Sequence, residues 1–389
     1  MKKAFLALAM AMVFALSLVG CQSSTTTSTD NGNQGSSDSS GTTNNTSEKS
    51  LKIVVVTSPS GVDDGSFNQD NYQGVQSFVQ NHPSCTVDTV RETNVANAIQ
   101  AVDSVVADYD VIVTPGFQFA GIYDIAKANP SKQFILVDSF PADAEGNEQS
   151  ADNIYAMQFA EQESGFFAGI AAAMETKSGK VAVVNGIAYP SNVNYQFGFE
   201  SGVNYANKHL DTKATLIELP SYSGKDVNGA NVGGNYIGDF SDEATGKVVG
   251  EALLDQGVDI IFVAAGASGN GVFTAVKEHG SAFVIGCDVN QYADGANGSS
   301  NIVLTSALKI MSPNVNKQLE AIYDGSFKGG NYTLTAATGA TGIVTTAGQM
   351  QLASATVTAL DDAYQKVKSG DVVPASNFNK STPEDFKGL

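Results

Sequence analysis

From residue 51 onward, apolar runs of five to nine residues alternate with longer stretches of helical character. The runs are 51-LKIVVVT-57, 85-CTVDTV-90, 110-DVIVT-114, 133-QFILVD-138, 153-NIYAMQF-159, 180-KVAVVN-185, 213-KATLIEL-219, 258-VDIIFVAAG-266, 282-AFVIGCD-288 and 302-IVLTS-306. Helices are expected over 94–107, 117–129, 161–176, 192–209, 241–256, 268–279, 312–324 and 348–369. Short strands that are apolar on both faces, each followed by a helix, predict parallel sheets covered on both sides. Roughly 340 residues of this pattern exceed one comfortable core, so two doubly wound α/β lobes are expected. A ligand cleft between such lobes lies at the carboxyl ends of the strands.

Those ends are where polar, glycine and aromatic residues collect. They include 61-GVDDGSFNQ-69, 114-TPGFQ-118, Asp138, 264-AAGASGNG-271 and Asp288. A helix should begin near Ser66, a residue type that caps helix N-termini well. Tyr72, Val75, Phe78 and Val79 share one face of that helix. Phe67 falls just outside it, so periodicity leaves core and cleft equally open for this ring.

The first 50 residues have a different character. Lys2 and Lys3 precede the apolar run 4-AFLALAMAMVFALSLV-19, which fits a secretory signal over residues 1–20. The following 18-LVGC-21 resembles a bacterial lipobox and implies a lipid on Cys21. Residues 22–50 hold no apolar side chain, so 21–50 reads as a disordered Ser/Thr/Asn/Gly tether between membrane and body. The chain carries 21 Lys+Arg against 40 Asp+Glu, which argues against nucleic acid as a partner. Cys85 and Cys287 both sit in strand-like runs and read as buried free thiols.

Catalytic patterns are absent from the sequence. His82, His209 and His279 have no metal-ligand spacing, and no GxxxxGK[ST] loop or GxSxG elbow occurs. The glycines at 266, 269 and 271 lack the GxGxxG order and suit either a close-approach loop or a plain turn. No metal, cofactor or enzymatic activity is expected. What remains is a recognition inventory. Asp63, Asp64, Asn68, Gln69, Asp138 and Asp288 supply polar groups, and Phe67, Phe117, Tyr195, Phe197 and Phe199 supply rings. Carboxylates accept from adjacent sugar hydroxyls and aromatic faces stack on planar bases, so a neutral, flat, hydroxylated molecule fits.

Several stretches together resemble the basic membrane protein family, the PnrA-like purine nucleoside receptors of ABC transporters. They are 61-GVDDGSFNQ-69, 162-QESGFFAGIAAAMETKSGKVAVV-184, 195-YQFGFESG-202, 238-GDFSDEATGK-247, 257-GVDIIFVAAGASGNGVFTAVKEHG-280, 284-VIGCDVNQY-292 and 304-LTSALK-309. The resemblance runs from about residue 51 to 370. It implies a type I periplasmic-binding-protein fold that closes on a purine nucleoside such as guanosine, inosine or adenosine. Carried over, Phe67 and Tyr195 would stack on the base, with Tyr195 the exposed ring of its helix and Phe199 the core ring. Asp288 would bind the ribose with Gly266 close by, and Asp64, Asn68 and Asp138 would hydrogen-bond in the cleft. Lys309 would reach toward the ribose, although the residue alone reads equally as a surface lysine. Asp63 and Asp64 compete for one role, and either could serve the loop backbone instead.

Gly65 departs from the family's usual Lys. Tyr195 stands where Phe is common and adds a hydroxyl that needs a partner. Cys287 replaces a frequent Val, and 221–238 has no obvious counterpart. The first lobe is expected to hold 51–156 with a return near 307–330, and the second 157–306 with 331–389. The partners implied are a nucleoside, ABC permease and ATPase subunits, and the membrane through the lipid, with the protein a monomer outside the cytoplasm. A sugar or signalling receptor is the alternative, and a nucleoside-processing enzyme a more distant one.

Overall fold

The computed structural model describes residues 49–389. The expected signal segment, the lipidated Cys21 and nearly all of the tether lie outside these residues. The chain begins β1 (Lys52–Thr57), α1 (Phe67–Asn81), β2 (Thr86–Arg91), α2 (Ala98–Val105), β3 (Val111–Pro115), α3 (Tyr123–Ala128), β4 (Gln133–Val137) and β5 (Ile154–Phe159). It continues α4 (Glu161–Glu175), β6 (Lys180–Asn185), α5 (Pro190–His209), β7 (Thr215–Leu216), the hairpin β8 (Gly224–Lys225) and β9 (Asn231–Gly233), and α6 (Glu243–Asp255). Then come β10 (Ile260–Ala264), α7 (Gly269–His279), β11 (Phe283–Gly286), the hairpin β12 (Ala296–Asn297) and β13 (Ser300–Asn301), and β14 (Val303–Lys309). The last elements are α8 (Ser312–Asp324), β15 (Gly330–Leu334), β16 (Thr341–Ile343) and α9 (Ser354–Ser369).

Two six-stranded sheets result. The first runs β15-β5-β4-β3-β1-β2 and the second β16-β14-β11-β10-β6-β7. Counted within each lobe, the strand order is the same: the first strand lies between the second and third, and the fourth, fifth and sixth follow outward. The first sheet is parallel throughout, whereas β16 joins the second sheet antiparallel to β14. Period-two alternation explains the burial. Ile53 and Val55 enter one core of the first lobe, while Val54 and Val56 enter the core on its other face. Val181 and Val183 likewise face one core of the second lobe, and Ala182 and Val184 the other. Cys85 and Cys287 are free and buried, as read from their strand-like runs.

The lobe limits differ from those expected. β5 extends through Phe159 in the first sheet, so the chain leaves that lobe at Ala160 rather than 157. Residues 307–309 finish β14 in the second sheet, and the return to the first lobe runs from α8 through Leu334. The helix expected over 348–369 starts at Ser354, and only α3 of the 117–129 stretch is α-helical, after a tight 3-10 segment at Phe117–Ile122.

One close helix crossing supports the site. α4 and α5 pack through Gly165 and Gly169 on one side and Gly198 and Gly202 on the other. A Cβ on Gly169 would lie 2.1 Å from the Phe199 carbonyl oxygen, and one on Gly202 2.1 Å from that of Phe166. Only glycine permits this backbone approach. It fixes the start of α4, which carries Glu161, against the N-terminal half of α5, which carries Asn194 and Tyr195.

Candidate functional site

The carboxyl ends of both sheets enclose a cavity of about 580 Å³, its mouth included. Phe67, Asn68, Phe117, Gln118 and Asp138 line it from the first lobe. Tyr189, Asn192, Tyr195, Phe240, Gly266, Asp288 and Lys309 line it from the second. The lobes touch directly across it. Ser66 Oγ donates to Asp288 Oδ2 at 3.1 Å, Ser60 Oγ donates to the Phe240 carbonyl at 3.1 Å, and Lys309 Nζ meets Asp138 Oδ2 at 2.6 Å. The two lobes are thus in direct contact around the cavity.

The opening loop of the first lobe is organised by Asp64. Its carboxylate accepts backbone N–H groups from Ser66, Asn68 and Gln69, each at 3.0 Å, and so caps α1. Ser66 does not cap the helix, contrary to expectation, because its hydroxyl is used across the cleft on Asp288. Asp63 is exposed, so of the two competing aspartates Asp64 is the one that lines the cavity. Burial raises its pKa, opposed by the three N–H donors. Asn68 Nδ2 donates to Ser58 Oγ at 2.9 Å, and its Oδ1 has no partner among the described residues. Phe67 is half-buried: it both packs on the first-lobe core and lines the cavity.

At the floor lies a charged cluster. Lys309 ends β14 and is 3% exposed, which removes the surface reading. Its ammonium lies 2.6 Å from Asp138 Oδ2, 3.3 Å from Glu161 Oε1 and 3.9 Å from Asp288 Oδ1. Burial pulls its pKa down, but the three carboxylates outweigh this and raise it. Burial pushes Asp138 up and Lys309 pulls it back; the 2.6 Å contact has the geometry of an ionised pair. Burial pushes Glu161 up to about 7, against the attraction of Lys309. The other oxygen of Glu161 accepts from Asn194 Nδ2 at 3.1 Å. Asp138 Oδ1 has no partner among the described residues.

Tyr195 faces the cavity, as expected of its helix, but from a buried position. It is 3% exposed, packs edge-on against Phe262 and donates its hydroxyl to Asp288 Oδ1 at 2.8 Å. That bond answers the need created by replacing Phe with Tyr. Burial and the neighbouring Asp288 raise the Tyr195 pKa well above its ordinary value, so it stays a donor. Lys309 Nζ lies 5.1 Å from the Phe67 centroid and 5.3 Å from that of Tyr195, so one ammonium faces both rings. Phe199 is fully buried and stacks on Phe262 at 5.7 Å, as a core ring should.

Tyr189 and Phe240, whose centroids lie 5.9 Å apart, join Tyr195 in lining the cavity from the second lobe; Phe117 approaches Tyr189 across the cleft at 5.3 Å. Sequence reading missed Tyr189, Phe240 and Glu161. Phe240 follows the 221–238 stretch, which forms the β8–β9 hairpin and returns through Tyr236 to the second sheet. Gly266 lies beside the Phe240 carbonyl and takes φ +53°, a backbone conformation that favours glycine.

A profile described as "ABC transporter substrate-binding protein PnrA-like", named Bmp, matches residues 51–219 and 224–375. The chain belongs to this family. It is thus a substrate-binding component of an ABC transporter, a class that works outside the cytoplasm. The chain is 27% identical over 355 residues to a "CD4+ T-cell-stimulating antigen" of Listeria innocua, covering 85% of this chain and 87% of that one. It is 29% identical over 297 residues to the "ABC transporter nucleoside-binding protein BmpA" of Lactococcus lactis, covering 72% and 77%. In fold it is similar to an ABC transporter solute-binding protein of Aeropyrum pernix, with a TM-score of 0.69 at 23% identity, over 85% of this chain and 94% of that one. The family is one of binding proteins rather than enzymes. Among the described residues no helix is long and apolar enough to cross a membrane.

Proposed function

We propose that this family member captures a purine nucleoside outside the cell by lobe closure and passes it to ABC permease and ATPase subunits. A lipid on Cys21 and the polar tether would hold it at the membrane as a monomer. The observation that carries the ligand class is the cavity itself: aromatic rings wall it from both lobes, and carboxylates at its floor retain acceptor capacity. Phe67 and Phe240 are the rings assigned to the base. Asn68 Oδ1 and Asp138 Oδ1, both without partners among the described residues, would accept from donors on the ligand. Asp288 keeps lone pairs for a ribose hydroxyl beside those used by Ser66 and Tyr195, and Gly266 leaves room for close approach. Asp64, Tyr195 and Lys309 then act mainly by positioning these groups. The charge of Lys309 is engaged by three carboxylates, which disfavours a phosphate and favours a neutral nucleoside.

Calorimetric titration with guanosine, inosine, adenosine, uridine and ribose tests this, on protein first unfolded and refolded to release carried ligand. One-to-one binding of purine nucleosides with ribose silent is expected. Removing a stacking ring costs about 1–3 kcal/mol per base, so Phe67→Ala or Phe240→Ala should weaken binding roughly 5- to 150-fold. Binding of ribose alone would replace the nucleoside with a sugar. Unchanged affinity in both ring variants would sink the stacking assignment.

A further inference from the structure

We propose that Glu161 is a positioning residue that takes up a proton as the lobes close, so that ligand capture tightens as pH falls below neutrality. The inference rests on the reading of this cleft as a ligand site that opens and closes. Its basis is the origin of the charges. Glu161 begins α4, Lys309 ends β14 and Asp288 follows β11, so these three belong to the second lobe and stay together when it moves. Asp138 follows β4 and Asp64 precedes α1, so both arrive with the first lobe. Closure therefore brings two further carboxylates toward a site holding one ammonium and two carboxylates, and it removes water from all of them. In the closed state Asp138, Glu161, Asp288 and Lys309 are each less than a tenth exposed.

One ammonium cannot compensate three buried carboxylates. A proton on one of them relieves the surplus, and the contacts decide which. Asp138 holds the shortest bond to Lys309, at 2.6 Å. Asp288 receives hydroxyl donors from Tyr195 and Ser66. Glu161 has the longer 3.3 Å approach to Lys309 and one neutral amide donor, Asn194. It is the least supported as an anion. The groups that face it are Lys309 from β14, Asp138 from the β4 end, and Asn194 and Tyr195 from α5; Asp288 from the β11 end meets Lys309 and Tyr195 rather than Glu161, with Cys287 and Asp64 beside it. The value of about 7 for the closed state, against an ordinary 4.5, agrees with this assignment.

The sign follows from linkage. The closed state binds the proton more tightly, so closure is unhindered below the open-state pKa. It becomes harder as pH rises from the open-state value toward the closed-state value of about 7, and levels off above. One proton corresponds to up to about tenfold in affinity per pH unit in that window.

The test is calorimetric titration of guanosine at pH 5.5, 6.5 and 8 in buffers of different ionisation enthalpy. The wild type should take up a proton on binding at pH 6.5, with Kd rising between pH 5.5 and 6.5. Glu161→Gln, a neutral isostere, should bind without proton uptake and with a flat pH profile. Asp70→Asn should retain most of the uptake, because Asp70, pushed up to about 6 chiefly by burial, accepts the Ser312 N–H of α8 within the first lobe and feels the second lobe only through Asp288. No uptake by the wild type, or undiminished uptake in Glu161→Gln, overturns the proposal. If no nucleoside binds at any pH, the nucleoside reading fails separately. Small-angle scattering of the ligand-free protein then decides on Glu161: expansion from pH 5.5 to 8 in the wild type but not in Glu161→Gln supports it, and shared profiles overturn it.

Discussion

Replacing Lys309 with methionine removes the cation that, among the described residues, faces Asp138, Glu161 and Asp288, and keeps the length of its stem. The result is a buried set of carboxylates without a counter-charge. Breaking a buried ion pair from one side costs about 3–5 kcal/mol, because the remaining charge is stranded. The folded body is roughly 340 residues. At about 2.1 cal/mol/K per residue, its unfolding entropy is on the order of 0.7 kcal/mol/K, so the melting temperature should fall by about 4–7 °C at pH 8. The loss must depend on pH. Without Lys309 the carboxylates hold protons more tightly in the folded state than in the unfolded chain. Such groups contribute least penalty below their unfolded pKa and most above their folded one. The deficit of Lys309→Met should therefore shrink at pH 5.

Differential scanning calorimetry of both proteins at pH 5 and pH 8 measures this directly. Adding Asp138→Asn to Lys309→Met should restore part of the stability at pH 8, since it removes one stranded charge from the same cluster. An equal drop at both pH values would refute the electrostatic reasoning and leave only lost packing. So would a double variant whose loss is the sum of the two single losses.

Two further outcomes follow from the same geometry. Gly202→Ala should destabilise by about 3 kcal/mol or more, because its Cβ would meet the Phe166 carbonyl at 2.1 Å and backbone cannot step aside cheaply; thermal unfolding checks it. Tyr195→Phe should lower stability by about 1.5–3 kcal/mol, the worth of a buried bond to a charged acceptor, while leaving the preference among purine bases unchanged. A changed base preference in parallel titrations would return Tyr195 to the stacking role.

The fold was legible because buried parallel strands leave a strong mark: Ile53–Val56, Phe134–Val137, Val181–Val184 and Ile260–Ala264 are apolar on both faces. The limits between lobes were not, since 303-VLTSALK-309 continues as one strand across the expected boundary at 307. Within the site, Asp138 and Asp288 could be found by their place at strand ends. Glu161 could not, because a glutamate in the first turn of a helix is ordinary, and only the glycine-mediated approach of α5 shows that it faces inward. The small-xxx-small spacing of 165-GFFAG-169 and 198-GFESG-202 is the signal that was available for that approach. Phe240 was hidden by the unfamiliar hairpin before it, and the orientation of Tyr195 depended on a partner, Asp288, that lies 93 residues away.

The two aspartates carry one further argument. Asp138 has φ +65° and Asp288 φ +67°, each just beyond the fourth strand of its lobe. A left-handed backbone costs a non-glycine residue about 1–2 kcal/mol, although aspartate tolerates it better than most. Glycine at either position would relax the backbone, so the side chain offsets a standing cost at equivalent points of both lobes. At position 138 the backbone and charge terms can be separated. Asp138→Gly and Asp138→Ala both remove the carboxylate and strand Lys309 equally. They differ in that alanine keeps the strained φ. In an ordinary loop glycine is the less stable of the two by about 0.5–1 kcal/mol. Here the order should reverse, with Asp138→Gly melting above Asp138→Ala by the equivalent of about 1 kcal/mol. If alanine were the more stable replacement, the left-handed turn at Asp138 would not be a constraint, and the aspartate would owe its place to Lys309 alone.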